Sequence, residues 1–169
     1  MSLNKPINDD DYEYESESVW SEVRPHVLVV CCSDGRLQEA VDDFLNNALG
    51  IADYDRLYAA GGPGALATGG FELMRADVFR KSCQFLLQAH KIETVYLIFH
   101  GAAPDGPPES VCAHYRKIMP HSSSTEVNKQ QEHDAAEILS YLKSVAPAVK
   151  AHVLRAEVHG DRRVRFARL

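Results

Sequence analysis

A chain of 169 residues, 45% hydrophobic and 8% aromatic, is long enough for one domain with a sizeable core. Its net charge of −6 lies entirely in Asp9, Asp10, Asp11, Glu13, Glu15, Glu17 and Glu22 against Lys5; the remainder is neutral, which argues against a nucleic-acid-binding face. It holds no apolar run of about 18 residues and no charged-then-apolar leader, so no membrane partner or secretion is expected and the cytoplasm is the expected compartment.

Residues 1–22 read as an acidic N-terminal tail or arm, and 23–169 as a single domain. Tyr12, Tyr14, Val19 and Trp20 give the tail anchors, either idle in solvent or docked on the body or on a partner subunit. Pro25 opens a first strand, His26 to Cys32, whose apolar run Val27 to Val30 suits a buried parallel strand. After the turn Ser33-Asp34-Gly35, the spacing of Leu37, Ala40, Val41, Phe44, Leu45 and Leu49 predicts a helix ended by Gly50. Arg56 to Ala60 reads as a short strand, and Gly61-Gly62-Pro63-Gly64 as a glycine-rich turn. A long helical region follows to His90, with a break at Gly69-Gly70 and an amphipathic end.

Thr94 to Phe99 is the next buried strand, ending at His100. Residues 101–128 read as a polar, proline-bearing loop with one turn of helix from Cys112 to Lys117. Gln130 to Val145 is amphipathic, Ala151 to Val158 a strand, and His159-Gly160-Asp161 a hairpin turn into Arg163 to Ala167. The class predicted is α/β: a mainly parallel central sheet flanked by helices, with a C-terminal antiparallel edge hairpin. Arg162, Arg163, Arg165 and Arg168 then lie on a solvated strand edge.

The chemistry gathers at the strand ends. Cys32 and His100 each close a buried parallel strand, where open α/β sheets bind ligands. If the strands are neighbours, thiolate and imidazole face one crevice and suit zinc. A third ligand falls to the loop after His100, where Cys112 is the only cysteine. Two thiolates balance the dication, and a remaining position holds water that ionises near neutral pH. Asp34 can orient that hydroxide or swing in as a fourth ligand; pairing with Arg36 favours the first state. The other cysteines, Cys31 and Cys83, read as core, and His90 as a helix-end cation. Gly62-Pro63-Gly64-Ala65-Leu66-Ala67 matches a dinucleotide fingerprint, but Pro63 stiffens the turn and no acidic ribose partner follows.

Cys32-Ser33-Asp34-Gly35-Arg36 resembles the Cys-x-Asp-x-Arg signature of the β-class carbonic anhydrases. The resemblance runs on in order through residues 26–169: helix, short strand, glycine-rich turn, helix, a strand ending in His, and a final strand-turn-strand. The family's second motif, His-x-x-Cys, is broken: position 103 is Ala, and Cys112-Ala113-His114-Tyr115 resembles the motif's end displaced by an insertion, Gly101 to Val111. The family's usual Arg-Asn before the glycine-rich turn is also missing.

The resemblance implies a zinc-dependent lyase that hydrates carbon dioxide reversibly to bicarbonate, with metal ligands Cys32, His100 and Cys112 and the Asp34–Arg36 dyad orienting the zinc-bound hydroxide. It also implies a homodimer or higher homo-oligomer, with the N-terminal arm reaching over a neighbour. His114 and His121 lie on the loop where a proton would leave. The alternatives are a non-catalytic binding or regulatory relative without a competent zinc site, and a zinc hydrolase acting on another small electrophile.

Overall fold

A computed structural model describes residues 15–69 and 73–169. Five strands form one sheet: β1 (Val27–Cys32), β2 (Asp55–Ala59), β3 (Thr94–Ala102), β4 (Lys150–Val158) and β5 (Val164–Arg168). Their order is β2-β1-β3-β4-β5. The β1–β2, β1–β3 and β3–β4 pairs are parallel, while β4–β5 is antiparallel. The expected architecture is therefore observed. The chain leaves β1 for β2 on one side and returns to β3 on the other, so the β1/β3 crevice is the topological switch point of the sheet.

Alternation along β1 builds two cores. Leu28, Val30 and Cys32 face one side, where Cys83 and Leu87 from α2 (Leu73–Ala89) and Val127, Ile138 and Leu142 from α4 (Ser124–Val145) cover them. Val29 and Cys31 face the other, against Val41 of α1 (Gln38–Asp43), Leu45 and Leu154. Each fully buried aliphatic side chain contributes roughly 1.5–3 kcal/mol, so these faces lock the register of β1. Cys31 and Cys83 are core residues, as expected.

Several boundaries differ from expectation. The first helical stretch is composite: a 3-10 turn at Gly35–Leu37, then α1, then a π-helical turn at Phe44–Ala48. The glycine-rich turn winds into a 3-10 helix over Gly62–Leu66, separate from α2; the proposed break at Gly69-Gly70 reaches outside the described residues. β3 runs three residues further than predicted because β4 pairs with it through Ala102, so His100 lies within a strand and not past its end.

The segment 101–128 is not one open loop. It holds a 3-10 turn at Pro108–Ser110, α3 (Ala113–Ile118) and the first turns of α4. The start of α4 is set by a capping box, in which Ser123 Oγ accepts from Glu126 N and the Glu126 carboxylate accepts from Ser123 N.

Of the tail, residues 1–14 lie outside the described residues. Residues 15–22 are exposed, and Trp20 is 81% exposed, so it is not docked on the body. Arg162, Arg163, Arg165 and Arg168 are exposed along the β5 edge, as expected.

Candidate metal centre

The carboxyl end of β1 turns sharply into the 3-10 turn at Gly35. Asp34 caps that turn, its Oδ1 accepting from Arg36 N at 3.1 Å. Gly62 makes the crevice tight: a Cβ there would lie 2.9 Å from Cys32 N, 3.2 Å from Cys31 C and 3.3 Å from Ile98 O, and its φ is +59°. Only glycine lets the turn after β2 press against the β1/β3 switch point. Ser33 N donates to Ala59 O at 3.0 Å and ties the two strand ends together.

Cys32, His100 and Cys112 meet in this crevice. Their candidate ligand atoms all lie within 4.8 Å of one another, all three residues are buried, and the two sulfurs are 4.0 Å apart. Pairing of β1 with β3 stops at Cys31 and Ile98, so beyond that point the crevice is open to side chains from either strand. The insertion, far from carrying Cys112 away, packs inward: Ala102, Ala103, Ser110 and Val111 are all buried, and Ala103 N donates to Val158 O at 3.0 Å. Cys112 is returned to the site at the N-terminus of α3.

The donor set fits zinc. Tetrahedral coordination with usual bond lengths needs sulfurs about 3.8 Å apart, close to the 4.0 Å between Cys32 and Cys112. His100 Nε2 is buried with no hydrogen-bond partner, a costly state that a metal bond would relieve. The thiols already behave as a pair: Cys112 donating to Cys32 holds the Cys32 thiol well below its usual range, against the opposing effect of burial and with help from His100. The same contact, together with burial, pushes Cys112 up. The opposed directions leave the proton on Cys112 and make Cys32 the readier thiolate, the form a metal binds.

Asp34 and Arg36 form a forked pair. Arg36 Nε donates to Asp34 Oδ1 at 2.9 Å and Nη2 to Oδ2 at 2.5 Å, while Arg36 Nη1 reaches Glu109 O at 3.4 Å. Arg36 beside it lowers the Asp34 carboxyl to about 2. A cavity of about 370 Å³ opens here, lined by Asp34, Arg36, His100, Glu109, Val158 and Arg162. A larger cavity of about 650 Å³, beside α3, touches none of the three ligands.

His114 and His121 do not line the cavity beside Asp34. His114 stacks over Gly61 and meets Arg75, and His121 is exposed. His90, read from sequence as only a helix-end cation, also pairs with Asp55 at 2.6 Å.

Two arrangements had no sequence signal. Gln131 Nε2 donates to His100 O at 2.9 Å, with Arg155 Nε donating to Gln131 Oε1 at 3.1 Å. Tyr115 of α3 donates to buried Asp134 of α4. The motif residues are neighbours in sequence, whereas these partners are brought together only by the register of β3, β4 and the helices.

No protein-family model matches the chain, and no curated protein matches it in sequence. Solved structures do. The β-carbonic anhydrase CcaA superposes with a TM-score of 0.50 at 14% identity, over 85% of this chain and 79% of that one. The carbonic anhydrase of Streptococcus mutans gives 0.47 at 16% identity over 88% and 86%; a tetrameric β-carbonic anhydrase of Sordaria macrospora gives 0.48 at 13% over 85% and 80%. The strand order, the edge hairpin and the superposition on CcaA agree: this chain has the fold of the β-class carbonic anhydrases.

Proposed function

We propose that the chain is a zinc-dependent lyase that interconverts carbon dioxide and bicarbonate, with Cys32, His100 and Cys112 as metal ligands and Asp34 and Arg36 as the catalytic pair. The observation that carries this reading is the convergence of buried sulfur, nitrogen and sulfur donors within 4.8 Å at the switch point of the sheet, beside a carboxylate gripped by a guanidinium. Bound there, zinc supplies the Lewis acidity that makes hydroxide available near neutral pH.

The chain's own groups do the rest. The thiolates of Cys32 and Cys112 balance the dication, and the neutral His100 ring gives its Nε2. Asp34, kept ionised by Arg36, accepts a hydrogen bond from the attacking water and so aims its lone pair at the carbon. The two-point grip of Arg36 holds that carboxylate from turning into the metal position. The cavity beside Asp34 and His100 admits the substrate and releases the product.

A homodimer or higher homo-oligomer fits the apolar surface left in water: Trp20 is 81% exposed, Met74 87% and Phe85 65%. Four free cysteines suit a reducing compartment such as the cytoplasm. No helix among the described residues is long and apolar enough to cross a membrane.

A second reading, a zinc hydrolase acting on another small electrophile, is favoured by the cavity volume of about 370 Å³, roomier than carbon dioxide requires. Metal analysis of freshly purified protein and a direct carbon dioxide hydration assay decide. The expected result is one zinc per chain, lost in Cys112→Ser, and accelerated hydration. Absence of zinc from wild type leaves a non-catalytic relative; zinc without hydration favours the hydrolase.

A further inference from the structure

We propose that Gln131, oriented by Arg155, is a positioning residue that sets the direction from which His100 meets the metal. This rests on the reading of His100 as a zinc ligand. The β1–β3 ladder ends at Ile98, two residues before His100, so on that side the sheet no longer holds the backbone that carries the ring. α4 supplies the hold instead: Gln131 Nε2 donates to His100 O at 2.9 Å, and both residues are buried.

The amide's orientation follows from its other neighbour. Arg155 of β4, only 7% exposed at its side chain, donates Nε to Gln131 Oε1 at 3.1 Å. A guanidinium has donors and no acceptor, so the amide oxygen must face it and the NH2 must face His100. Arg155 is itself fixed on the far side: its Nη2 donates to Asn128 O at 3.0 Å and Glu132 Oε1 at 3.1 Å, and its Nη1 to Glu157 Oε1 at 3.4 Å. Buried hydrogen-bond networks of this kind rigidify what they touch. Here the chain of contacts runs from α4 and β4 to one peptide group, that of His100. Among the described residues the side chain of Gln131 makes no other hydrogen bond, so its hold on this peptide is what its burial achieves.

Gln131→Glu keeps the shape and, ionised beside Arg155, still accepts from the guanidinium but cannot donate to the His100 carbonyl. In the full-length protein we expect zinc affinity, measured by chelator competition on the folded fraction, to fall about 10–100-fold, with shifted visible bands in the cobalt-substituted form. A folded Gln131→Glu that binds zinc within about 3-fold of wild type, with unchanged cobalt bands, overturns the inference. If that variant does not fold, Arg155→Gln and Arg155→Leu decide. The first keeps a donor for Gln131 Oε1 and should retain affinity, and the second should lose it; equal affinities overturn the inference. Wild type without zinc would sink the parent reading, a result distinct from zinc-loaded wild type with unaffected variants.

Discussion

The sulfurs of Cys32 and Cys112 lie 4.0 Å apart although 80 positions separate the residues in the chain. Cys112 shares a core with Cys83, yet only Cys112 has a second sulfur and an unpartnered imidazole nitrogen beside it. Cys112→Ser should therefore remove zinc, whereas Cys83→Ala should keep it and cost about 1 kcal/mol of packing. Chelation gives a second measure. Ligand that binds only the folded state at about a thousand times its dissociation constant adds about 4 kcal/mol of stability. Wild type and Cys83→Ala should melt lower after chelation, and Cys112→Ser should melt at one temperature with or without chelator.

Arg36→Ala frees the Asp34 carboxylate from its fork. The water it orients loses its aim, and hydration should slow by roughly 10–100-fold. The pair also carries a pH signature in the metal-free protein. Asp34 has a folded value of about 2 against an ordinary 3.8, a depressed acid. Its stabilisation is complete above the ordinary value and disappears as pH falls from there toward about 2. Arg36 is 62% exposed at its side chain, so solvent screening limits the contribution to about 1 kcal/mol or less. Denaturation curves of wild type and Arg36→Ala should differ near pH 6, draw together below the ordinary carboxylate value and meet only near about pH 2.

Much of this site is readable from local sequence because its parts are local. The run Val27 to Val30 announces a buried strand, and Cys32, Asp34 and Arg36 sit on the single turn that follows it. His100 is marked by the strand before it. Cys112 could be chosen only because no other cysteine lies on its loop, and nothing in the insertion says that it folds inward. The early start of α4 was legible in Ser123 and Glu126, a capping box three residues apart, hidden in a polar stretch that otherwise resembles loop. Gln131 and Arg155 were not legible at all. Each is a polar residue inside an amphipathic pattern, and only the pairing of β4 with β3 brings the guanidinium beside the amide.

Gly62→Ala tests the crevice itself. The added methyl meets Cys32 N, Cys31 C and Ile98 O, which are backbone atoms that cannot rotate away, and the residue's φ of +59° is itself unfavourable for alanine. Destabilisation of roughly 2–4 kcal/mol is expected, together with loss of zinc, because the strand end that carries Cys32 must shift. Gly35→Ala, with nothing within 4 Å of the new methyl, should leave melting and zinc content unchanged. Equal stability of the two variants in thermal melts would contradict this account.

Asp134 offers the opposite pH sign from Asp34. It is 5% exposed, and burial raises its carboxyl above the ordinary range although Tyr115 Oη and, at 2.8 Å, Gln130 Nε2 donate to it. The folded state therefore holds this proton more tightly than the unfolded state does. The stability it lends is full below the ordinary carboxylate value and is lost as pH rises through the raised folded one. Asp134→Asn cannot ionise, so its penalty relative to wild type should be largest near pH 4 and shrink toward pH 8. Tyr115→Phe removes a donor to the charged form, which raises the folded value further and moves the loss to higher pH, at a cost of about 1–3 kcal/mol near pH 8. Urea midpoints for the three proteins across that range are the measurement. Curves that stay parallel would mean that the carboxylate binding α3 to α4 is no harder to ionise than one in water.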